Sequence, residues 1–314
     1  MNPHLRRRPI DDDLGLGLQA GRKRGVNKDG SFNVSRMGLP RFRPYDLYHH
    51  LITMGWGRFL GLLFLAFLAT NAVFALIYLG IGMEQFTRQG GTGLRGRLQD
   101  AFFFSAQTLT TVGYGHISPR GFLANAAAAL ESLLGLLSFA LATGLLYGRF
   151  SRPQACLRFS NLAVMAPYQG LAGFMFRLVN MRSNELIEVE ATVSLSLQDP
   201  TSATRRFMLL PLERPKIHLF PSSWTVVHPI DETSPLFGLT EVDLRNAKAE
   251  FIVLIKAFDD TFSQTIYART SYTADEIRWG ARFKPMAFIG PDGMTEMDVE
   301  RLDTLEDLTL AHRG

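Results

Sequence analysis

Two long apolar stretches constrain this chain more than any other feature. Phe59 to Met83 runs 25 residues without a charged side chain, and Phe122 to Gly148 runs 27 with Glu131 as the single interruption. At a rise of about 1.5 Å per residue, either stretch crosses a hydrocarbon core of about 30 Å as a helix. From about residue 151 onward the sequence is ordinary and mixed, so the 46% hydrophobic content of the 314 residues is concentrated in two membrane spans. That distribution excludes a soluble enzyme, a collagen and a disordered chain.

Basic residues set the orientation. Residues 1–58 carry eleven Lys and Arg, whereas 84–121 carry only Arg88, Arg95, Arg97 and Arg120, which predicts that both termini are cytoplasmic. The net charge of +4 is read as the basic flanks of membrane helices, with no nucleic acid as partner. The single Cys156 forms no intrachain disulfide and suits a reducing side. Asp11, Asp12 and Asp13 follow Arg6, Arg7 and Arg8 where a leader would need an apolar run, so the first span is expected to serve as its own insertion signal.

Composition divides the rest. Residues 1–40 are rich in Gly, Arg and Asp without an apolar period and are expected to be a flexible tail. Residues 41–56 follow as an interfacial helix, because Tyr48, Leu51, Ile52 and Gly55 fall at helical spacing ahead of Trp56 and Arg58 at the headgroup level. The alternative is an inward extension of the first span. A pore domain is expected over 57–150, with spans 58–83 and 121–150. Between them Gly90–Gly96 reads as a loop, and 98–109 as a re-entrant helix too short to cross the bilayer. After Arg149 the pattern turns to β, most clearly at Ile187–Leu197, where Ile187, Val189, Ala191, Val193, Leu195 and Leu197 alternate with polar residues. Further strands are expected at 157–165, 172–180, 206–210, 250–257 and 265–271, with one short helix at 241–248. A β-sandwich over 151–314 is the simplest packing.

The chemistry lies in Thr110-Thr111-Val112-Gly113-Tyr114-Gly115, directly after the re-entrant helix. Backbone at membrane depth without regular structure persists only where it lines a water- or ion-filled cavity. A dehydrated potassium ion needs a cage of oxygens, and a ring of backbone carbonyls supplies one. For successive carbonyls to face the same axis the backbone alternates in handedness, which accounts for Gly113 and Gly115, since glycine takes positive φ freely. The carbonyls of Thr111, Val112, Gly113 and Tyr114 are therefore the expected potassium ligands. Val112 and Tyr114 are expected to point away from the ions and pack against pore-helix residues 102–107. One chain supplies one loop and a closed ring needs four, so the expected unit is a C4 homotetramer with three identical subunits as partners. A membrane-tethered binding protein has no reason to place a glycine-alternating loop between two spans.

TVGYG between two spans resembles the filter of potassium channels. The chain as a whole resembles bacterial inward-rectifier potassium channels, the KirBac family, over about residues 44–300. The resemblance rests on Gly148-Arg149-Phe150-Ser151-Arg152-Pro153, on Val227-His228-Pro229-Ile230-Asp231-Glu232-Thr233-Ser234-Pro235-Leu236-Phe237-Gly238, and on Asp275-Glu276-Ile277-Arg278-Trp279-Gly280. It implies an interfacial slide helix before the first span and an immunoglobulin-like cytoplasmic domain after the second. It also implies residence in a bacterial inner membrane and passive, voltage-independent conduction, with no catalytic residue and no cofactor beyond the permeant ion. His116 departs from the Asp that many potassium channels carry after the filter.

In the second span Glu131, Gly135, Phe139, Thr143 and Tyr147 recur every four residues, which reads as one helix face. The resemblance places Phe139 in the cavity where strong rectifiers carry an acid, Thr143 beside it, and Tyr147 at the inner constriction. Glu131 is expected to brace the filter from behind. Gly135 and Gly144 read either as hinges or as close-packing positions. Arg41, Arg43, Arg149 and Arg152 read either as a site for anionic phosphoinositide lipids, inhibitory in the bacterial members, or as topology signals alone.

Overall fold

A computed structural model of the protein describes residues 24–34, 44–87, 93–151, 155–182, 184–199, 205–220 and 223–308. The chain divides into two compact units, Gly38–Arg152 on the one hand and Met1–Met37 with Pro153–Gly314 on the other.

The first unit contains α1 (Pro44–Thr53), α2 (Trp56–Ile81), α3 (Gly93–Leu109) and α4 (Phe122–Phe150). Both α2 and α4 are long and apolar enough to cross a membrane. Each leaves large apolar side chains exposed, Phe64, Leu65 and Leu76 on α2 and Leu136, Leu137 and Leu141 on α4, as a lipid or protein neighbour requires. The re-entrant helix is longer than its apolar run predicts. It begins at Gly93 rather than residue 98, and residues 93–96 are helical rather than loop, since Arg95 and Arg97 lie on an exposed first turn and do not interrupt it. Its inner half is fixed by an aromatic cluster in which Phe104 meets Tyr78 of α2 at 5.0 Å and Phe86 at 5.2 Å, edge to face. Phe86 belongs to β1 (Phe86–Thr87), which pairs with β2 (Ser118–Pro119) and so closes the loop that carries the filter.

The second unit is a β-sandwich. One sheet holds β3 (Leu157–Phe159), β4 (Ala163–Tyr168), β5 (Leu171–Asn180), β9 (Ser223–Ile230) and β12 (Ile277–Trp279). The other holds β6 (Leu186–Gln198), β7 (Arg205–Leu209), β8 (Lys216–Phe220), β10 (Glu250–Asp259) and β11 (Gln264–Thr273). The pairing is antiparallel throughout except β12 with β4. Between the sheets Phe174 and Phe176 of β5 pack with Phe251 of β10 and Tyr272 of β11, and Phe174 stacks on Phe251 at 4.2 Å. Two small two-stranded sheets, β13 (Ala281–Phe283) with β16 (Leu305–Asp307) and the hairpin β14 (Ala287–Ile289) with β15 (Thr295–Met297), complete the strands. The region expected as one strand at 157–165 is two strands, and β8 and β9 had no counterpart among the expected strands. Pro229 is tolerated in β9 because that strand pairs with β5 alone and lies at the sheet edge.

The alternation predicted for β6 holds from Val189 to Val193; Ser194 and Ser196 beyond it are buried as well, and it fails at Ile187, which is only partly buried while Leu186 is fully buried. Glu188 takes a φ of 53°, and the register with β10 shifts between Lys256 and Phe258, so a bulge turns one residue out of phase. The short helix α5 (Glu241–Asn246) starts on a capping box between Thr240 and Asp243. It ends two residues earlier than expected because Lys248 adopts a left-handed φ of 44°.

The tail expected over 1–40 is not uniform. Residues 24–34 form a closed loop, bridged at Val26 and Phe32, that is docked on β10 and β11. The backbone N–H groups of Gly25 and Val26 donate to the buried Glu250 carboxylate at 2.9–3.0 Å, and Arg24 pairs with Glu276 at 3.0 Å. Lys28 lies 3.7 Å from the centre of the Tyr272 ring. Composition missed this because the partners sit more than 220 residues away.

Candidate functional site: a left-handed loop behind a re-entrant helix

The helix α3 stops at Leu109, and the next residues leave helical geometry in an ordered way. Thr111 N–H donates to Thr108 O at 3.0 Å, and the N–H groups of Val112 and Gly113 both reach Gln107 O at 2.9 and 3.3 Å. Thr110 Oγ1 donates to Ala106 O at 2.7 Å, which ties its side chain back to the helix. Beyond this anchor Thr111, Gly113 and Gly115 have φ of 60°, 55° and 81°, while Val112 and Tyr114 between them do not enter the left-handed region. This is the alternation that turns successive carbonyls toward one side. Thr111 is the surprise, since a β-branched residue with positive φ is strained and persists only where its surroundings hold it.

Within one chain Val112 and Tyr114, expected against pore-helix residues 102–107, are 52% and 77% exposed. Within one chain the loop projects past the end of α3, which leaves these two apolar faces without intrachain cover.

Glu131 is fully buried behind the loop. Tyr78 of α2 donates its hydroxyl to Glu131 Oε2 at 2.5 Å, and Ser105 Oγ of α3 lies 2.5 Å from Oε1. Ser105 Oγ also lies 2.9 Å from Asn71 Oδ1. Three helices thus converge on one carboxyl. Asn71, Tyr78 and Ser105 escaped the sequence reading, although an isolated polar residue inside an apolar run is the available signal. One turn further along α4, a Cβ built on Gly135 would collide with Leu109 O and stand 2.9 Å from Leu109 C. Gly135 is therefore a close-approach position against the end of α3. Gly144 has no atom within 4 Å of such a Cβ, so no close approach within one chain requires glycine there.

The five residues spaced by four do not form one face. Each step of four advances about 40° around the helix, so Tyr147 is turned roughly 160° from Glu131. Accordingly Glu131 and Gly135 are buried against α2 and α3, whereas Phe139 and Tyr147 are 73% and 74% exposed and Thr143 is exposed. Thr143 spends its hydroxyl on Phe139 O at 2.9 Å.

Comparison with known proteins decides the family. A model of the inward rectifier potassium channel C-terminal domain matches residues 157–313, and an ion channel model matches 62–152. The inward rectifier potassium channel Kirbac3.1 of Paramagnetospirillum magnetotacticum is 40% identical over 290 residues, covering 91% of this chain and 96% of that one. The ATP-sensitive inward rectifier potassium channel 12 of Mus musculus is 30% identical over 294 residues, covering 85% of this chain and 68% of that relative. The chain belongs to the inward rectifier potassium channel family. It is an ion channel rather than an enzyme, with two membrane helices in the ion channel segment and a β-rich C-terminal domain.

In this inward rectifier, Arg149 bonds the end of α1. Its guanidinium donates to Leu51 O at 2.6 Å and Met54 O at 2.7 Å, the carbonyls at the end of α1, and lies over the rings of Trp56 and Phe59 at 4.6 and 4.4 Å. A cation at a helix C-terminus satisfies carbonyls that have no intrahelical donor. Gly148 beside it lets Tyr48 Oη approach to 2.8 Å of where a Cβ would stand, so α1 packs directly on α4. Sequence reading assigned Arg149 by charge and location alone, which cannot reveal that its two terminal nitrogens each bond a carbonyl of the preceding helix end. Arg41, Arg43 and Arg152 lie outside the described residues.

Proposed function

We propose that four copies of this chain assemble as a C4 tetramer and conduct potassium passively through a filter made of Thr110, Thr111, Val112, Gly113, Tyr114 and Gly115. The carbonyls of Thr111, Val112, Gly113 and Tyr114 replace the ion's hydration shell. The observation that carries this reading is the left-handed backbone at Thr111, Gly113 and Gly115 immediately after a 17-residue helix that carries Arg95, Arg97 and Asp100 in its first half. The exposed faces of Val112 and Tyr114 support the tetramer, since a neighbouring copy is the natural cover for apolar side chains at the pore.

The remaining assignments follow the same axis. Glu131 braces the filter from behind, Phe139 and Thr143 line the cavity, and rings of Tyr147 close the inner end by excluding water. An apolar Phe139 gives weak block by magnesium or polyamines. Gly144 is the hinge, and Gly135 a packing position. Arg41, Arg43 and Arg152 attract anionic phosphoinositides that inhibit conduction, while Arg149 fastens the slide helix. The protein resides in a bacterial inner membrane with both termini cytoplasmic. The pore domain covers 57–150 after a slide helix at 41–56, and the regulatory sandwich covers 151–314. Potassium is the permeant ion, and no cofactor is required.

Rubidium uptake into liposomes under a potassium gradient tests this reading. Uptake blocked by barium and unaffected by sodium, from protein that sizes as a tetramer in mild detergent, is the expected result. Silent liposomes with or without anionic lipid, from monomeric protein, would contradict it.

A further inference from the structure

The buried cluster behind the filter has one more close contact than hydroxyl hydrogens. Three oxygen pairs need one hydrogen each: Tyr78 Oη with Glu131 Oε2 at 2.5 Å, Ser105 Oγ with Glu131 Oε1 at 2.5 Å, and Ser105 Oγ with Asn71 Oδ1 at 2.9 Å. Tyr78 and Ser105 supply two. The Asn71 amide supplies none, because its orientation is fixed: Nδ2 donates to Phe67 O at 2.7 Å, and turning the amide over would set two oxygens against each other. Asn71 Oδ1 therefore only accepts, and the Ser105 hydrogen goes to it. The Tyr78 hydrogen goes to Oε2. Nothing remains for the pair between Ser105 and Oε1 except a hydrogen carried by the carboxyl itself.

We infer that Glu131 is a neutral carboxylic acid that donates from Oε1 to Ser105 Oγ and accepts from Tyr78 at Oε2. With this one proton every donor in the cluster has an acceptor, in a site where Glu131, Ser105, Asn71 and Tyr78 are all fully buried. An ionised Glu131 would leave either Oε1 or Asn71 Oδ1 facing Ser105 lone pairs. Among the described residues no Lys, Arg or His forms an ion pair with it. The relay runs in one direction, from Tyr78 on α2 through Glu131 on α4 to Ser105 on α3 and back to Asn71 on α2. Glu131 is thus a positioning residue: it holds the pore helix that ends at the filter. That consequence rests on the potassium-pore reading, whereas the proton assignment does not.

Glutamine reproduces the pattern, since its amide donates to Ser105 and its carbonyl accepts from Tyr78, and aspartate is one methylene too short to span both partners. The experiment is infrared difference spectroscopy of wild type and Glu131→Gln in lipid nanodiscs at neutral pH, paired with rubidium uptake by both proteins. The expected result is a protonated-acid carbonyl band in wild type that is lost in the variant, with uptake retained by Glu131→Gln and lost by Glu131→Asp. Carboxylate stretches in wild type that vanish in the variant would overturn the inference. So would loss of uptake in an assembled Glu131→Gln protein. An acid band in a wild-type protein that passes no rubidium would support the proton assignment while removing the potassium-pore reading. Ser105→Ala gives a second check that does not alter Glu131: removing the acceptor shifts the acid band toward that of a free acid, and an unshifted band overturns the assignment.

Discussion

Replacing Gly135 by alanine tests how tightly the second span holds the filter. The added Cβ would meet Leu109 O in a hard collision and stand 2.9 Å from Leu109 C and 3.2 Å from Leu109 Cα, all of them backbone atoms with no rotamer to yield. Carbon pairs settle at about 3.5–4.0 Å, so the Leu109 C contact alone requires α4 and the end of α3 to separate by at least about 0.6–1.1 Å, and the nearer Leu109 O requires more. Overpacking of this kind costs about 1–3 kcal/mol. The displaced residue is the last of the pore helix, directly before Thr110, so the strain is delivered to the loop that carries the carbonyls. Gly135→Ala is expected to lower rubidium uptake by at least about fivefold and to lower the unfolding temperature of the assembled protein. Gly144→Ala is the control, since no atom lies within 4 Å of its Cβ position. There the only packing-independent effect is helix propensity, about 0.5–1 kcal/mol in favour of alanine, so assembly and thermal stability are retained while open probability falls. A Gly135→Ala protein with wild-type uptake and stability would refute the argument from close approach.

Other outcomes follow from single contacts. Arg149→Gln removes charged bonds to Leu51 O and Met54 O, worth about 1.5–3 kcal/mol each, so hydrogen exchange over 44–53 is expected to accelerate in the variant and not in an Arg149→Lys protein that recovers one bond. Tyr147→Ala is expected to raise leak in liposomes, and unchanged flux would remove it from the constriction. Phe139→Asp is expected to introduce voltage-dependent block by internal magnesium or spermine, and a conducting variant without block would place the residue off the cavity. The docking of residues 24–34 carries a pH dependence. Burial raises the Glu276 carboxyl, but the Thr273 amide, Lys28 and Arg24 together outweigh it and hold the carboxyl below its ordinary value of 4.5. A depressed acid contributes stability that is complete above its unfolded value and lost as pH falls through the folded one. Protection of 24–34, read as the hydrogen-exchange protection factors of the Gly25 and Val26 amides, is therefore expected to hold between about pH 5 and 7 and to fall as pH drops below 4.5. Glu276→Gln should lose it at neutral pH, and equal protection in that variant would refute the ion-pair account.

The two spans, the C-terminal half of the re-entrant helix and the positive φ at Gly113 and Gly115 were legible because each rests on a local property: charge-free length, a short apolar run, and alternating glycine. The strand β6 was legible for the same reason wherever the period of two persists, and was misread at Ile187 where a bulge at Glu188 breaks it. What escaped depends on partners remote in sequence. Arg149 read as a lipid ligand or a topology signal, and its bonds to Leu51 O and Met54 O, 98 and 95 residues away, were invisible. The stripe from Glu131 to Tyr147 failed for a geometric reason, because a spacing of four drifts around a helix of 3.6 residues per turn. The left-handed Thr111 was invisible because side-chain type argues against that conformation, and only the anchoring of the following amides to Gln107 O holds it.

The most direct measurement of the central claim is the reversal potential of the purified protein in a planar bilayer with unequal potassium and sodium on the two sides. A current that reverses at the potassium equilibrium potential, and keeps doing so when the sodium gradient is inverted, is the predicted result. Reversal that follows sodium or chloride, or that sits near zero regardless of the potassium gradient, would contradict the assignment of Thr111 to Tyr114 as a potassium-selective ring.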